Sequence, residues 1–154
     1  MSKTLAQISQ AGTSVWLDDL SRERMIDNGK SRSLKSLIAE ESVVGVTTNP
    51  AIFSSSISQS SLYSDDLKAL AAKGYLAEQI ITELTCSDVA KACDLFREVF
   101  LASGGVDGRV SIEVDPRFAR DTKKTISQAR DLWKKIDRLN LLIKVPATIE
   151  GLPA

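Results

Sequence analysis

Two short apolar runs carry most of the fold information: Arg109–Val114 reads R-V-S-I-E-V, and Leu141–Val145 reads L-L-I-K-V. Side chains alternate between the two faces of a β-strand, so each run has one wholly apolar face. The other face carries a charged residue close to the carboxyl end, Glu113 in the first run and Lys144 in the second. We expect the apolar faces to meet a helix layer and the charged faces to share an interior.

Two further β-like runs occur earlier, at Ser14–Asp18 and Val43–Thr47. Longer stretches with helical periodicity separate or flank the runs. In chain order they are Leu20–Asn28, Ser33–Glu40, Ser60–Lys73, Leu76–Leu84, Ser87–Ala102 and Asp121–Leu139. This alternation predicts an α/β fold with a parallel sheet, either open or closed as a barrel. The chain has no phosphate-loop or dinucleotide glycine fingerprint, which favours the barrel.

The composition excludes several kinds of chemistry. The 154 residues are 43% hydrophobic, which is typical of one globular domain. Twenty basic residues balance twenty acidic ones, so we expect no nucleic acid partner. There is no histidine, which excludes histidine triads, histidine bases and histidine-ligated metals. We therefore expect any catalysis to use carboxylates, lysine, hydroxyl groups or water.

The two cysteines, Cys86 and Cys93, lie seven residues apart in a helix-like segment. A helical rise of ~10 Å separates them, which is too far for a disulfide, so we expect buried free thiols. The amino terminus lacks the apolar core of a signal peptide, and no run approaches the ~20 apolar residues of a membrane span. These features predict a cytoplasmic protein without a membrane partner.

Polar residues gather near the carboxyl ends of the four predicted strands. They are Asp18, Thr47 or Asn49, Glu113 and Lys144. Barrel enzymes build their active sites at this end of the sheet. This set of groups is typical of enzymes in which a lysine forms a Schiff base with a carbonyl substrate. The carboxylates then transfer protons, as general acids and bases. The alternative is structural, because a lysine that ends an apolar strand is commonly ion-paired or snorkelling.

Two segments resemble signatures of the transaldolase family. Gly45–Phe53 (GVTTNPAIF) resembles the first signature, and Ile143–Gly151 (IKVPATIEG) resembles the second, which surrounds the family's Schiff-base lysine. The segments VWLDD and VSIEVD are similar to the first- and third-strand motifs, so the resemblance spans essentially the whole chain. It implies a (β/α)8 TIM barrel of the pentose phosphate pathway. That enzyme moves a dihydroxyacetone unit from sedoheptulose 7-phosphate to glyceraldehyde 3-phosphate without a cofactor.

Matching motifs imply a role for each candidate site residue. Lys144 would attack the ketose carbonyl, and Glu113 would act as acid and base, through a water, when the carbinolamine loses water. Asp18 would accept the hydroxyl proton during carbon–carbon cleavage. Asn49 and Thr47 would bind the sugar-phosphate donor.

Two pairs of neighbouring residues require a choice. Strand phase and the family motif both favour Asp18 over Asp19, which we expect in a loop or the first turn of a helix. Thr47 is assigned to the substrate site, but Thr47 and Thr48 also fit a structural role. In that alternative they are β-branched residues at a strand end, with Pro50 opening the next helix.

The chain reaches Ala154 only ten residues after Lys144, with four expected strands visible. A complete barrel needs ~200 residues or more. We therefore expect residues 1–154 to form the amino-terminal part of one barrel domain, inactive alone and suited to self-association or to pairing with the missing half. Alternatives are a fructose 6-phosphate aldolase-like enzyme and a non-catalytic half-barrel assembly partner. The long segment between the second and third strands favours transaldolase.

Overall fold

A single four-stranded sheet organises the chain in a computed structural model that describes residues 3–27, 29 and 32–154. The strands are β1 (Val15–Leu17), β2 (Val43–Thr47), β3 (Arg109–Glu113) and β4 (Leu141–Lys144). They lie in the order β1-β2-β3-β4, and every neighbouring pair is parallel. This is the arrangement of a partial (β/α)8 barrel, so the predicted fold class is confirmed.

Helices connect the strands. In the described part of the chain they are α1 (Lys3–Gln10), α2 (Arg22–Met25), α3 (Leu34–Glu40), α4 (Pro50–Gln59), α5 (Ser64–Ala72), α6 (Ala77–Leu95), α7 (Arg97–Ala102) and α8 (Thr122–Ile136). Short 3₁₀ turns occur at Ser61–Tyr63 and Pro116–Phe118. None of the described helices is long and apolar enough to cross a lipid bilayer.

The predicted break between Leu76–Leu84 and Ser87–Ala102 is wrong, because α6 continues through it. Its buried residues Leu84, Val89 and Ala92 form an apolar stripe that crosses the predicted break and packs into the core. The chain changes helix later, at Phe96.

Two other helix predictions differ from the structure, and two further helices were not fully predicted. The helix predicted at Leu20–Asn28 is the short α2, and Asn28 lies outside the described residues. Helix α1 has no counterpart among the predicted helices, and only the start of α4, at Pro50, was predicted. The helix predicted at Asp121–Leu139 ends earlier, where Asp137 adopts a left-handed backbone conformation.

The outer face of the sheet forms the core. Val46, Val110, Ile112 and Leu141 are buried, and α6 and α8 pack against β3 and β4 respectively. The buried amide of Asn140 donates to the carbonyls of Cys93 and Gly108, each at 2.8 Å. These bonds tie α6 to the start of β3.

Both cysteines are free thiols on α6, as the sequence predicts. Burial raises the pKa of Cys86 to about 11 and that of Cys93 to about 12. A thiol reacts as its thiolate, so burial and the raised pKa both disfavour a nucleophilic role for these cysteines.

The inner face of the sheet carries different side chains. Trp16 and Leu142 are partly exposed there, and the Trp16 ring lies directly on Gly45. A Cβ atom at position 45 would overlap that ring. Glycine is therefore required at this point of β2 for the close approach of the aromatic side chain.

Candidate active site

Lys144 and Glu113 form an ion pair at the carboxyl edge of the sheet. They are register partners at the ends of β4 and β3. The distance from Lys144 Nζ to Glu113 Oε2 is 3.0 Å, and the side chains are 43% and 21% exposed. The amine is therefore accessible from solvent and within direct proton-transfer distance of a carboxylate.

Backbone and side-chain hydrogen bonds hold the ends of these strands together. The Val114 N–H donates to the Lys144 carbonyl at 3.1 Å, which continues the β3–β4 ladder past Glu113. On the other side, the Glu113 N–H donates to the Thr48 hydroxyl at 3.3 Å. The Thr48 N–H donates in turn to the Ser111 carbonyl at 2.9 Å. Glu113 is thus held between β2 and β4.

The structure separates the two neighbouring aspartates that follow β1. Asp19 pairs with Arg24 at 2.5 Å and so fixes the start of α2. Asp18 is exposed and has no hydrogen bond or ion pair within the described part of the chain. Asp18 lies at the same edge of the sheet as the Lys144–Glu113 pair, but β2 and β3 separate it from Lys144.

Thr47 and Asn49 flank the point where the chain leaves β2. Thr47 is the last residue of the strand and pairs in register with Ser111. Asn49 caps α4, because its Oδ1 accepts a hydrogen bond from the Ala51 N–H at 2.9 Å. The sequence analysis assigned Asn49 to donor binding and did not identify this cap, although Asn-Pro is a common helix start.

The loop after Lys144 is tied to the segment that follows β3. The Thr148 hydroxyl donates to the Ala119 carbonyl, and the Thr122 hydroxyl donates to the Glu150 carbonyl. The Gly151 N–H donates to Thr148 Oγ1 at 3.0 Å, where a larger residue would overlap the backbone. Residues of the second signature therefore shape the loop beside the lysine.

A carboxylate–guanidinium cluster continues from β3. Arg117 binds Asp115 through Nε at 2.9 and 3.0 Å and binds Glu78 at 2.8 Å. Hydrogen bonding from Arg117 lowers the pKa of Asp115 below its ordinary value. The Asp115 N–H donates to Gln128 at 2.6 Å. These contacts fix the loop immediately after Glu113, and the sequence analysis missed them.

A second missed cluster anchors α2, which begins just after the Asp18 loop. Asp88 is fully buried on α6, and Arg22 Nε donates to its two oxygens at 3.0 and 3.2 Å. The Arg22 guanidinium lies 4.3 Å from the centre of the Tyr63 ring. The Tyr63 hydroxyl accepts the Arg22 N–H at 3.2 Å. Burial beside Asp88 raises the pKa of that hydroxyl.

A cavity of about 250 Å³ lies behind the carboxyl end of β3, on the helix side. Its walls include Thr48, Thr85, Ile112 and Gln128, and Glu113 contributes to its rim. Among the described residues, no group of three or more histidine, cysteine, aspartate or glutamate side chains could hold a metal ion.

The paired lysine and glutamate lie at the carboxyl edge of a parallel sheet, which is the edge where barrel enzymes build their active sites. Comparison with known proteins gives the family. Residues 15–154 match the family model described as Transaldolase/Fructose-6-phosphate aldolase. The chain belongs to this family.

Curated bacterial relatives match nearly the whole chain. The chain is 53% identical over 154 residues to a transaldolase of Acidothermus cellulolyticus, and the aligned region covers 100% of the chain and 40% of the relative. It is 55% identical over 150 residues to a transaldolase of Mycolicibacterium smegmatis, covering 97% and 39%. A transaldolase of Thermobifida fusca is 49% identical, with 41% of its length covered. The chain thus spans about 40% of the length of these relatives.

Proposed function

We propose that this chain carries the Schiff-base machinery of a transaldolase. The reaction would move a dihydroxyacetone unit from sedoheptulose 7-phosphate to glyceraldehyde 3-phosphate in the pentose phosphate pathway. The proposal rests on the ion pair between Lys144 Nζ and Glu113 Oε2 at 3.0 Å, in a chain of this family. Residues 1–154 would be the amino-terminal part of one barrel domain.

The first step uses the Lys144–Glu113 pair. A proton passing from Nζ to Oε2 leaves a neutral amine and a carboxylic acid. The amine adds to the ketose carbonyl carbon and forms a carbinolamine. Glu113, acting through a water, then returns a proton to the departing oxygen, which leaves as water and gives an iminium on Lys144.

The second step breaks the bond between the carbon α to the iminium carbon and the hydroxyl-bearing β carbon beyond it. Asp18 takes the proton of the neighbouring hydroxyl, the bond electrons pass into the iminium, and an aldehyde leaves. The resulting enamine bonds to the carbonyl carbon of the acceptor aldehyde, whose oxygen takes the proton back from Asp18, and water then hydrolyses the new iminium. Asn49 and Thr47 would bind hydroxyl groups of the donor beside β2.

Among the residues that the structure describes, no strand pairs with the outer edge of β1 or of β4. Exposed parallel edges invite pairing with further strands. We propose that the chain acts together with a segment that extends the sheet, either a carboxyl-terminal barrel half or a second copy. The isolated chain would then have negligible turnover.

A coupled transaldolase assay tests this proposal. The chain is measured alone and mixed with the separately expressed downstream segment of the Acidothermus cellulolyticus relative, with size-exclusion chromatography of each sample. We expect turnover only in the mixture, and its loss in Lys144→Met. Turnover of the isolated chain at the level of an intact relative would contradict the pairing requirement, and an active Lys144→Met mixture would contradict the mechanism.

The family description also covers fructose 6-phosphate aldolase. An aldolase would release free dihydroxyacetone from fructose 6-phosphate without an acceptor aldehyde. The names of the relatives favour transaldolase. Measuring dihydroxyacetone release from the active mixture, with and without an acceptor, distinguishes the two reactions.

A further inference from the structure

The end of the β2–β3 ladder departs from the regular parallel pattern at Thr48. The Thr48 N–H donates to the Ser111 carbonyl at 2.9 Å, as in a parallel ladder. In that pattern the next bond runs from the Glu113 N–H back to the carbonyl of Thr48. Here the Glu113 N–H donates to the Thr48 hydroxyl instead, at 3.3 Å.

The turn into α4 explains this exchange. Asn49 caps the helix with an extended backbone, and Pro50 is its first residue. The Thr47 hydroxyl lies 3.5 Å from the carbonyl oxygen of Thr48. In a regular ladder, that carbonyl oxygen would accept the hydrogen bond from the Glu113 N–H. The side chain of Thr48 thus provides the acceptor in place of its backbone.

We propose that Thr48 is a positioning residue for Glu113, and this inference rests on the proposed roles of Glu113 and Lys144. Thr48 is 2% exposed, so water has little access to replace its hydroxyl. The bond holds the backbone of Glu113 where its carboxylate meets Lys144 at 3.0 Å. Without it, a shielded N–H lacks an acceptor and the end of β3 shifts.

Three variants test this role. Thr48→Val removes the hydroxyl while keeping the branched shape, and Thr48→Ser keeps the hydroxyl. Thr125→Val is the matched control, since Thr125 is also buried and donates to the Phe118 carbonyl at 2.9 Å without contacting Glu113. Should Thr48→Val fail to fold, as judged by circular dichroism, Thr48→Ala takes its place.

Two readouts are taken on the chain. Hydrogen exchange by NMR reports the Glu113 amide, and borohydride trapping over a dihydroxyacetone concentration series reports the Lys144 adduct. For Thr48→Val we expect exchange to accelerate about tenfold, the size expected for an unsatisfied buried donor. The maximal trapping rate should fall by a similar factor, with an unchanged half-saturating concentration. Thr48→Ser and Thr125→Val should stay within about twofold of the unsubstituted chain on both readouts.

The results separate this role from general stability and from the proposed function. Unchanged Glu113 exchange in Thr48→Val would overturn the inference, as would an equal loss of trapping in Thr125→Val. If neither the unsubstituted chain nor its mixture with the downstream segment forms an adduct at Lys144, the proposed function fails. The exchange measurement then still decides whether Thr48 holds Glu113.

Discussion

Replacing Asp88 by asparagine should destabilise the fold strongly. The carboxylate is fully buried and receives two hydrogen bonds from Arg22 Nε, at 3.0 and 3.2 Å. Asparagine keeps the shape but removes the charge. The largely buried guanidinium of Arg22 would then lose its buried counter-ion.

The structure sets the size of the effect. Removing one partner of a buried ion pair costs about 3–5 kcal/mol. Arg22 also binds the exposed Asp66 at 2.7 Å and the Leu62 carbonyl at 2.8 Å, so part of its charge stays compensated. We therefore expect a loss of about 3 kcal/mol in the free energy of unfolding. If the free energy of unfolding falls by about 2 kcal/mol per molar urea, the urea concentration at the unfolding midpoint should fall by about 1.5 M.

Urea unfolding followed by circular dichroism measures this change, and Asp94→Asn is the matched control. Asp94 lies on the same helix and binds Arg138 through two hydrogen bonds at 2.7 and 3.0 Å, but its side chain is 51% exposed. Its replacement should cost less than about 1 kcal/mol. Equal losses in the two variants, or a loss below about 1 kcal/mol in Asp88→Asn, would refute the reasoning from burial.

Three further changes have defined outcomes. Asp18→Asn should slow carbon–carbon cleavage but not Schiff-base formation, and single-turnover kinetics of the active mixture would contradict this if both steps slowed equally. Gly45→Ala should destabilise the sheet by about 1–3 kcal/mol, because its methyl group overlaps the Trp16 ring, and urea unfolding would show it. Arg117 lowers the folded-state pKa of Asp115, so this carboxylate stabilises the fold above its ordinary pKa of 3.8 and loses that contribution as the pH falls through the lower folded value. The stability difference between the unsubstituted chain and Asp115→Asn should therefore shrink on acidification, and a difference that grows would contradict the assignment.

The strands could be predicted because their signal is local. Alternation along Arg109–Val114 and Leu141–Val145 shows which side chains share a face without knowledge of the rest of the fold. Parallel pairing then brings Glu113 and Lys144 to the same edge, where the structure places them in contact. The break predicted within α6 was wrong because burial of one apolar stripe, from Leu84 onward, maintains the helix across it.

Two of the supporting contacts could not be predicted, because they join distant parts of the chain. Arg22 and Asp88 are 66 residues apart, and nothing in either local sequence identifies the partner. Thr48 reaches Glu113 across 65 residues, and its role depends on how the backbone turns into α4. The Asn49 cap, in contrast, had a local signal, which is the asparagine before Pro50.

The most direct measurement of the central claim is the position of the trapped adduct. The chain is incubated with dihydroxyacetone, reduced with borohydride, digested and mapped by mass spectrometry. We expect the adduct on Lys144, which is accessible beside Glu113, and none on Lys134 or Lys135, which lie on α8, where Lys135 pairs with Glu83. Modification of Lys134 or Lys135 with Lys144 untouched would contradict the claim that Lys144 forms the Schiff base.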